Sequence, residues 1–138
     1  MPNGIDLILA DHELVNALFA EFAQAPSGIP VGQIVDALTV HDQAEHAALY
    51  PFAAELLGSD DLLTRAEVAH AAVKRQIGLL SELEGPALVV AVTELQQLVE
   101  AHVADEETNL LPALNEAATP EQLDVLGGRI LQAKQRVG

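Results

Sequence analysis

His41 and Glu45 stand one helical turn apart, and His102 and Glu106 repeat the pairing later in the chain. Residues four apart in a helix share a face, so each pair can aim an imidazole and a carboxylate at one point. A lone His precedes each pair, His12 the first and His70 the second. A Pro stands ten residues after the His of each pair, as Pro51 and Pro112. The order is therefore H, HxxxE, H, HxxxE. Four imidazoles and two carboxylates form a donor set for iron, manganese or zinc rather than for calcium or magnesium. Their number suits two ions, each with two His, both carboxylates bridging and an oxo or hydroxo group between the ions. A coordination position left open is where a small molecule binds. A lone His, or one HxxxE on a solvated face, carries no such meaning; the doubled order does.

Helices must hold these residues. The apolar spacing is helical throughout, and no strand alternation appears. A first helix is expected over 6–25, with Leu7, Leu14, Leu18 and Phe22 in its buried stripe, ending before the loop signal Ala25-Pro26-Ser27-Gly28. A second starts near Pro30, a residue tolerated in a first turn, and runs to about Leu57. Gly58-Ser59-Asp60-Asp61 stops it and starts a third, with Ser59 as cap and the two Asp at the positive helix end. The third continues to about Glu84, and Gly85-Pro86 turns the chain into a fourth from Pro86 to Ala117. Thr119-Pro120-Glu121-Gln122 is a capping box that opens a short fifth helix ending near Val137.

Four long helices with short loops predict an all-α, up-down-up-down four-helix bundle with a short C-terminal fifth helix. The expected layout is a single domain over 1–138, with the metal-binding bundle in about 5–117 and the C-terminal helix in about 119–137. The four lone or paired His then fall at similar heights. Pro51 and Pro112 lie inside predicted helices, where each removes a backbone hydrogen bond and bends or ends its helix just past the site.

The formal net charge of −15, from 6 basic and 21 acidic residues, excludes nucleic acid and an anionic membrane surface as partners. Cysteine is absent, which removes disulfides, iron–sulfur clusters and thiol chemistry. Trp is absent and the one Met is the initiator, so few side chains are easily oxidised, as suits a protein that handles oxygen or peroxide. The start MPNGIDLILADHELV does not read as a signal peptide, and no transmembrane span is expected. The expected location is the cytoplasm.

The stretches ADHELVNAL around His12, VHDQAEHAALYP around His41, AEVAHAAV around His70 and AHVADEETNLLP around His102 resemble the hemerythrin-like family, the HHE cation-binding domains. The resemblance is closest to bacterial, and especially mycobacterial, members. It implies a non-haem di-iron centre in a four-helix bundle, with His12, His41, Glu45, His70, His102 and Glu106 as metal ligands. The chain departs from oxygen-carrying members at Lys74, where those have a second His one turn after the third-helix His. A charged Lys cannot ligate, so one position is either open to small molecules or filled by another residue. Tyr50, where the second half has Leu111, offers a hard phenolate for ferric iron if Pro51 turns it inward; an ideal helix points it away from His41. Glu67 lies one turn before His70. His46 sits beside Glu45, about 100° around the helix, and is matched by Glu107. Asp11, Asp42 and Asp105 adjoin the ligands in sequence but point elsewhere on their helices, so they receive no role.

The implied function is to bind or process a small oxidant: hydrogen peroxide, nitric oxide or dioxygen. Catalase-like disproportionation of peroxide and nitric oxide binding stand above oxygen transport. The competing function is dioxygen binding, storage or sensing, or iron storage, without turnover; a sensor would need a separate protein partner. A bundle that held no metal would be colourless and indifferent to chelators.

Overall fold

The computed structural model describes residues 3–26, 28–58 and 61–137. Helix α1 (Gly4–Gln24) opens with the Asn3 side chain accepting the Ile5 N–H at 2.8 Å. Helix α2 (Gly28–Ala44) passes through a π-helical turn, π1 (Glu45–Leu49), into α3 (Tyr50–Leu57). Helix α4 (Asp61–Leu80) follows. Helix α5 (Gly85–Asp105) likewise passes through π2 (Glu106–Leu110) into α6 (Leu111–Ala117), and α7 (Pro120–Val137) ends the chain. The described residues contain no strand. The first four rods run up, down, up and down, and α7 packs on α1, α2 and π1. The capping roles expected of Ser59 and Asp60, and the Ser27 part of the first loop, lie outside the described residues.

Local chemistry accounts for several boundaries. Thr119 and Gln122 form the expected reciprocal box: Gln122 N–H donates to Thr119 Oγ1 at 3.2 Å and Thr119 N–H to Gln122 Oε1 at 2.8 Å. Gly85 takes a left-handed φ of 63°, which a side chain resists. Helix α4 stops at Leu80 instead of Glu84. The chain must reverse before Pro86, and Glu82 and Leu83 turn back onto the Leu79 and Leu80 carbonyls. At the start of α1, a Cβ on Gly4 would sit 2.5 Å from Leu126 Cγ, so glycine is what lets α7 approach.

Two expectations need correction. The buried stripe of α1 is Ile8, His12, Val15, Phe19 and Phe22; Leu14 is 53% exposed, and Leu7 and Leu18 are half-buried. The inward face was marked by polar His12, which a search for apolar residues passes over. Second, Gly85–Ala117 is long and apolar enough to cross a bilayer by length and composition, although no span was expected. Its Val, Leu and Ala content makes it so apolar, while its inner face carries His102 and Glu106 into the bundle.

The core has two halves. One gathers Ile8, Leu49, Phe52, Leu114, Leu126 and Ile130 around α7. The other gathers Phe19, Phe22, Ile34, Leu38, Leu95 and Val99 at the far end of the bundle. Buried His12, His41, Glu45, His70 and Glu106 form a polar layer. The sequence positions of that layer fall between the two apolar halves on each of the first four rods.

Candidate metal centre

The prolines build the site. Pro51 and Pro112 have no N–H to give the preceding turn, and their rings crowd its carbonyl. Neither ends its helix, contrary to one of the expected outcomes. Each is preceded by a five-residue π turn closed by Tyr50 N–H to Glu45 O and by Leu111 N–H to Glu106 O. In a π turn, residues five apart stack on one face. Tyr50 therefore returns to the face of His41 and Glu45, which a regular helix would deny it.

All seven candidate donors meet. Donor atoms of His12, His41, Glu45 and Glu106 lie within 4.8 Å of one another, as do those of Glu45, His70 and His102. Glu45 belongs to both groups. His12 Nε2 lies 3.2 Å from Glu106 Oε1, and His41 Nε2 lies 3.2 Å from Glu45 Oε1. The Tyr50 hydroxyl closes the second group. It lies 3.1 Å from Glu45 Oε1, 3.0 Å from Glu106 Oε2, 2.7 Å from His70 Nε2 and 3.5 Å from His102 Nε2. Neighbouring donors on an ion with bonds of about 2.1 Å are roughly 3 Å apart, so these spacings suit a shared cation.

The buried polar atoms make the same case. His12 Nε2, His41 Nε2, Glu45 Oε2 and Glu106 Oε1 are buried without a hydrogen-bond partner. Such atoms cost about 1–3 kcal/mol each if nothing satisfies them, and folded proteins rarely tolerate several together. Here all four belong to the residues of the first donor group, so the donor set fits a cation.

Without a cation, protons balance the carboxylates. Burial would lower the His41 pKa, but the Glu45 charge and the Asp11 hydrogen bond prevail and raise it to about 10. Burial likewise opposes a charged His102, yet Glu106 and Glu45 lift it to about 9. His70 also rises against burial, through Glu45 and Asp42. Burial would raise the Glu45 pKa, but His41, His102 and His70 hold it well below the carboxylate range. Burial and the two Glu charges keep the Tyr50 phenol protonated.

Carboxylates hold the far ring nitrogens. His41 Nδ1 meets Asp11 Oδ2 at 2.8 Å, His12 Nδ1 meets Glu107 Oε2 at 2.6 Å, and His70 Nδ1 meets Asp42 Oδ1. Such partners fix ring orientation and tautomer. Each carboxylate adjoins one candidate ligand in sequence and supports a different one on another helix. A residue next to a ligand is turned about 100° and so faces the neighbouring helix at the same height. That rule would have found Asp11, Asp42 and Glu107. Asp105 follows another course and takes a bidentate bond from Arg65 at 3.1 and 2.7 Å.

Glu67 and His46 fall outside the cluster around Glu45 and Glu106. Exposed Glu67 pairs with His46 Nε2 at 2.9 Å, and His46 Nδ1 meets the Asp42 carbonyl, leaving the His46 ring edge-on to His70. Lys74 is turned outward, 67% exposed, with Nζ 3.6 Å from Asp42 Oδ2. Lys134 of α7 reaches Asp11, a link sequence spacing could not show. Lys134→Met is expected to weaken metal binding about tenfold at the group containing His41. Lys134→Arg should restore it in the same metal titration.

A cavity of about 150 Å³ opens over the four imidazoles, bounded by all four rings, by aliphatic side chains and by Thr39, Asp42, Gln43 and Lys74.

Known proteins resemble this chain in sequence and in fold. Residues 3–125 match the family described as Hemerythrin HHE cation binding domain. A DNA nickase from Nostoc sp. is 30% identical over 138 residues, an alignment that takes in 96% of this chain and 39% of that protein. The chain thus spans well under half of that relative's length. The crystal structure of a hemerythrin HHE cation binding domain-containing protein from Mycobacterium kansasii superposes with a TM-score of 0.87. It covers 99% of this chain and 88% of that one at 21% identity, which speaks to the shared fold. With its helical bundle and its buried His and Glu cluster, the chain belongs to the hemerythrin HHE cation-binding domain family.

Proposed function

We propose that the chain holds two iron ions and uses them on a small oxidant, with catalase-like disproportionation of hydrogen peroxide as the leading activity and nitric oxide binding beside it. The observation that carries this is two donor groups that share Glu45, the first of which contributes four buried atoms without a hydrogen-bond partner. His12 and His41 would hold one ion and His70, His102 and Tyr50 the other, with Glu45 and Glu106 shared. When bound, a pair of iron ions supplies adjacent centres that take and return two electrons, as 2 H₂O₂ → 2 H₂O + O₂ requires.

The chain's own groups do the rest. Asp11, Asp42 and Glu107 keep three imidazoles aimed inward. Tyr50 shares one proton between Glu45 and Glu106, and nearby cations favour its release, since bound metal charge reverses the local pKa logic. The aliphatic layer beside the rings limits water.

Metal analysis and an absorption spectrum test the proposal. Iron-reconstituted protein should hold two ions per chain, absorb between about 300 and 400 nm as bridged ferric iron does, and show a broad visible band from Tyr50. Tyr50→Phe should lose the visible band, keep the near-ultraviolet absorption and bind the second ion at least about tenfold more weakly. Less than one iron per chain would sink the di-iron proposal. An unchanged visible band in Tyr50→Phe would remove the phenolate.

The aliphatic part of the cavity wall favours a second reading, reversible binding of dioxygen or nitric oxide without turnover, because side chains that exclude water protect a bound gas. Oxygen evolution from hydrogen peroxide separates the two. A rate no higher than that of free iron leaves the binding reading.

A further inference from the structure

The cavity has a simple origin. Val15 follows His12 by three residues and Val73 follows His70 by three, while Leu38 and Val99 precede His41 and His102 by three. Neighbouring rods are antiparallel, so these offsets all run toward the same end of the bundle. They place one aliphatic side chain per rod in the layer beside the imidazoles, and all four line the cavity. Three are Val, too short to fill a layer that Leu or Phe would close. Lys74, one turn past His70, lines the mouth and leans out to Asp42, so no bulk enters from that position. Glu45, Glu106 and the Tyr50 hydroxyl lie toward the opposite end and leave this space free.

The volume selects a ligand. A water molecule's share of liquid is about 30 Å³, so a cavity of about 150 Å³, part of which bound ions would take, still has room for more than a diatomic gas. Val15, Leu38, Val73, Ile77, Val99 and Val103 form the part of the wall that offers water no hydrogen bonds, and the polar lining is the four imidazoles with Thr39, Asp42, Gln43 and Lys74. A wholly apolar cavity near this size accepts a guest as large as benzene; in this one the polar side chains suit the oxygen head of a guest and the aliphatic ones its carbon body.

We propose that this cavity is a subsite for the alkyl body of a small organic hydroperoxide, seated between Val15, Leu38, Val73 and Val99 with its oxygen head toward the imidazoles. The assignment rests on the metal reading above. Such a molecule would replace the peroxide that is reduced: ROOH + H₂O₂ → ROH + H₂O + O₂. The O–O bond of ROOH breaks, and hydrogen peroxide supplies the two electrons and two protons and leaves as dioxygen. Three buried carbons beyond the first should tighten binding by on the order of 10²-fold.

Three measurements on iron-loaded protein test this. Crystals under xenon pressure should show xenon between Val15, Leu38, Val73 and Val99. Spectral titration should give tert-butanol a dissociation constant on the order of 10²-fold below that of methanol. A mixture of tert-butyl hydroperoxide and hydrogen peroxide should yield one tert-butanol for each dioxygen formed by the mixed reaction. Val73→Phe should abolish the xenon peak and reduce the alcohol preference to within about tenfold. Ordered water in place of xenon, or equal binding of the two alcohols, in protein that holds iron and consumes hydrogen peroxide overturns the subsite alone. Protein that cannot be loaded with iron overturns the metal reading on which it rests.

Discussion

Glu45→Gln protein, after iron reconstitution, is expected to carry less than one metal ion per chain. Glu45 belongs to both donor groups, within reach of His41, His70, His102 and Tyr50. The substitution keeps the size of a fully buried side chain and removes its charge, so packing changes little. An amide offers one weak donor oxygen where a carboxylate offers two charged ones. Affinity should fall by more than the 10- to 100-fold typical of losing an outer-shell partner. Glu67→Gln is the matched control, because Glu67 pairs with His46 at the surface, and its loading should be unchanged. Metal analysis of both variants decides the point. Full loading of Glu45→Gln would remove Glu45 from the site.

The second large effect joins metal, protons and stability. Protein stripped by a chelator should melt at a temperature that falls as pH rises from about 6.5 to 10. The folded pKa values of His41 and His102, about 10 and about 9, lie above the ordinary histidine value of 6.5. Both states bind these protons below pH 6.5, where the stabilisation is fully present; it is lost as pH climbs through the folded values. Each excess proton corresponds to about 1.4 kcal/mol per pH unit. Two such groups lower the melting temperature by several degrees per unit. Glu45 works in the other direction: its depressed pKa gives stability above the carboxylate range that acid removes.

Metal and protons compete for the same nitrogens, so iron should stabilise the protein most at high pH. The gap in melting temperature between loaded and stripped protein should widen from pH 6.5 to 9. Ligand at 100 times its dissociation constant adds about 2.7 kcal/mol. Calorimetry at four pH values is enough to see the trend. A gap that narrows with pH would show that His41 and His102 do not exchange protons for metal. Glu45→Gln should make the pH profile of the stripped protein shallower, because the largest charge holding a proton on His41 is gone while Glu106 still holds one on His102.

Much of this centre is legible in the sequence. Helical spacing makes His41 and Glu45 one unit and His102 and Glu106 its repeat, because four residues bring two side chains to one face. The turn chemistry around Gly85 and Thr119 is equally local. The stripe of α1 is easily misread because polarity disguises His12 as an outward residue. Tyr50 stays open because a regular helix points it away, and only the i+5 closure ahead of Pro51 turns it inward.

Residue type and spacing along single helices determined the donor set, the helical class and the family, all of which depend on contacts within a turn or two. Tertiary structure decided what depends on helices meeting. It showed that Asp11 serves His41, that Asp42 serves His70 and that Lys134 reaches in from α7. It also showed that one short layer of Val and Leu leaves room beside the imidazoles. These are distances between residues far apart in the chain, set by how rods pack, and no spacing within a single rod contains them.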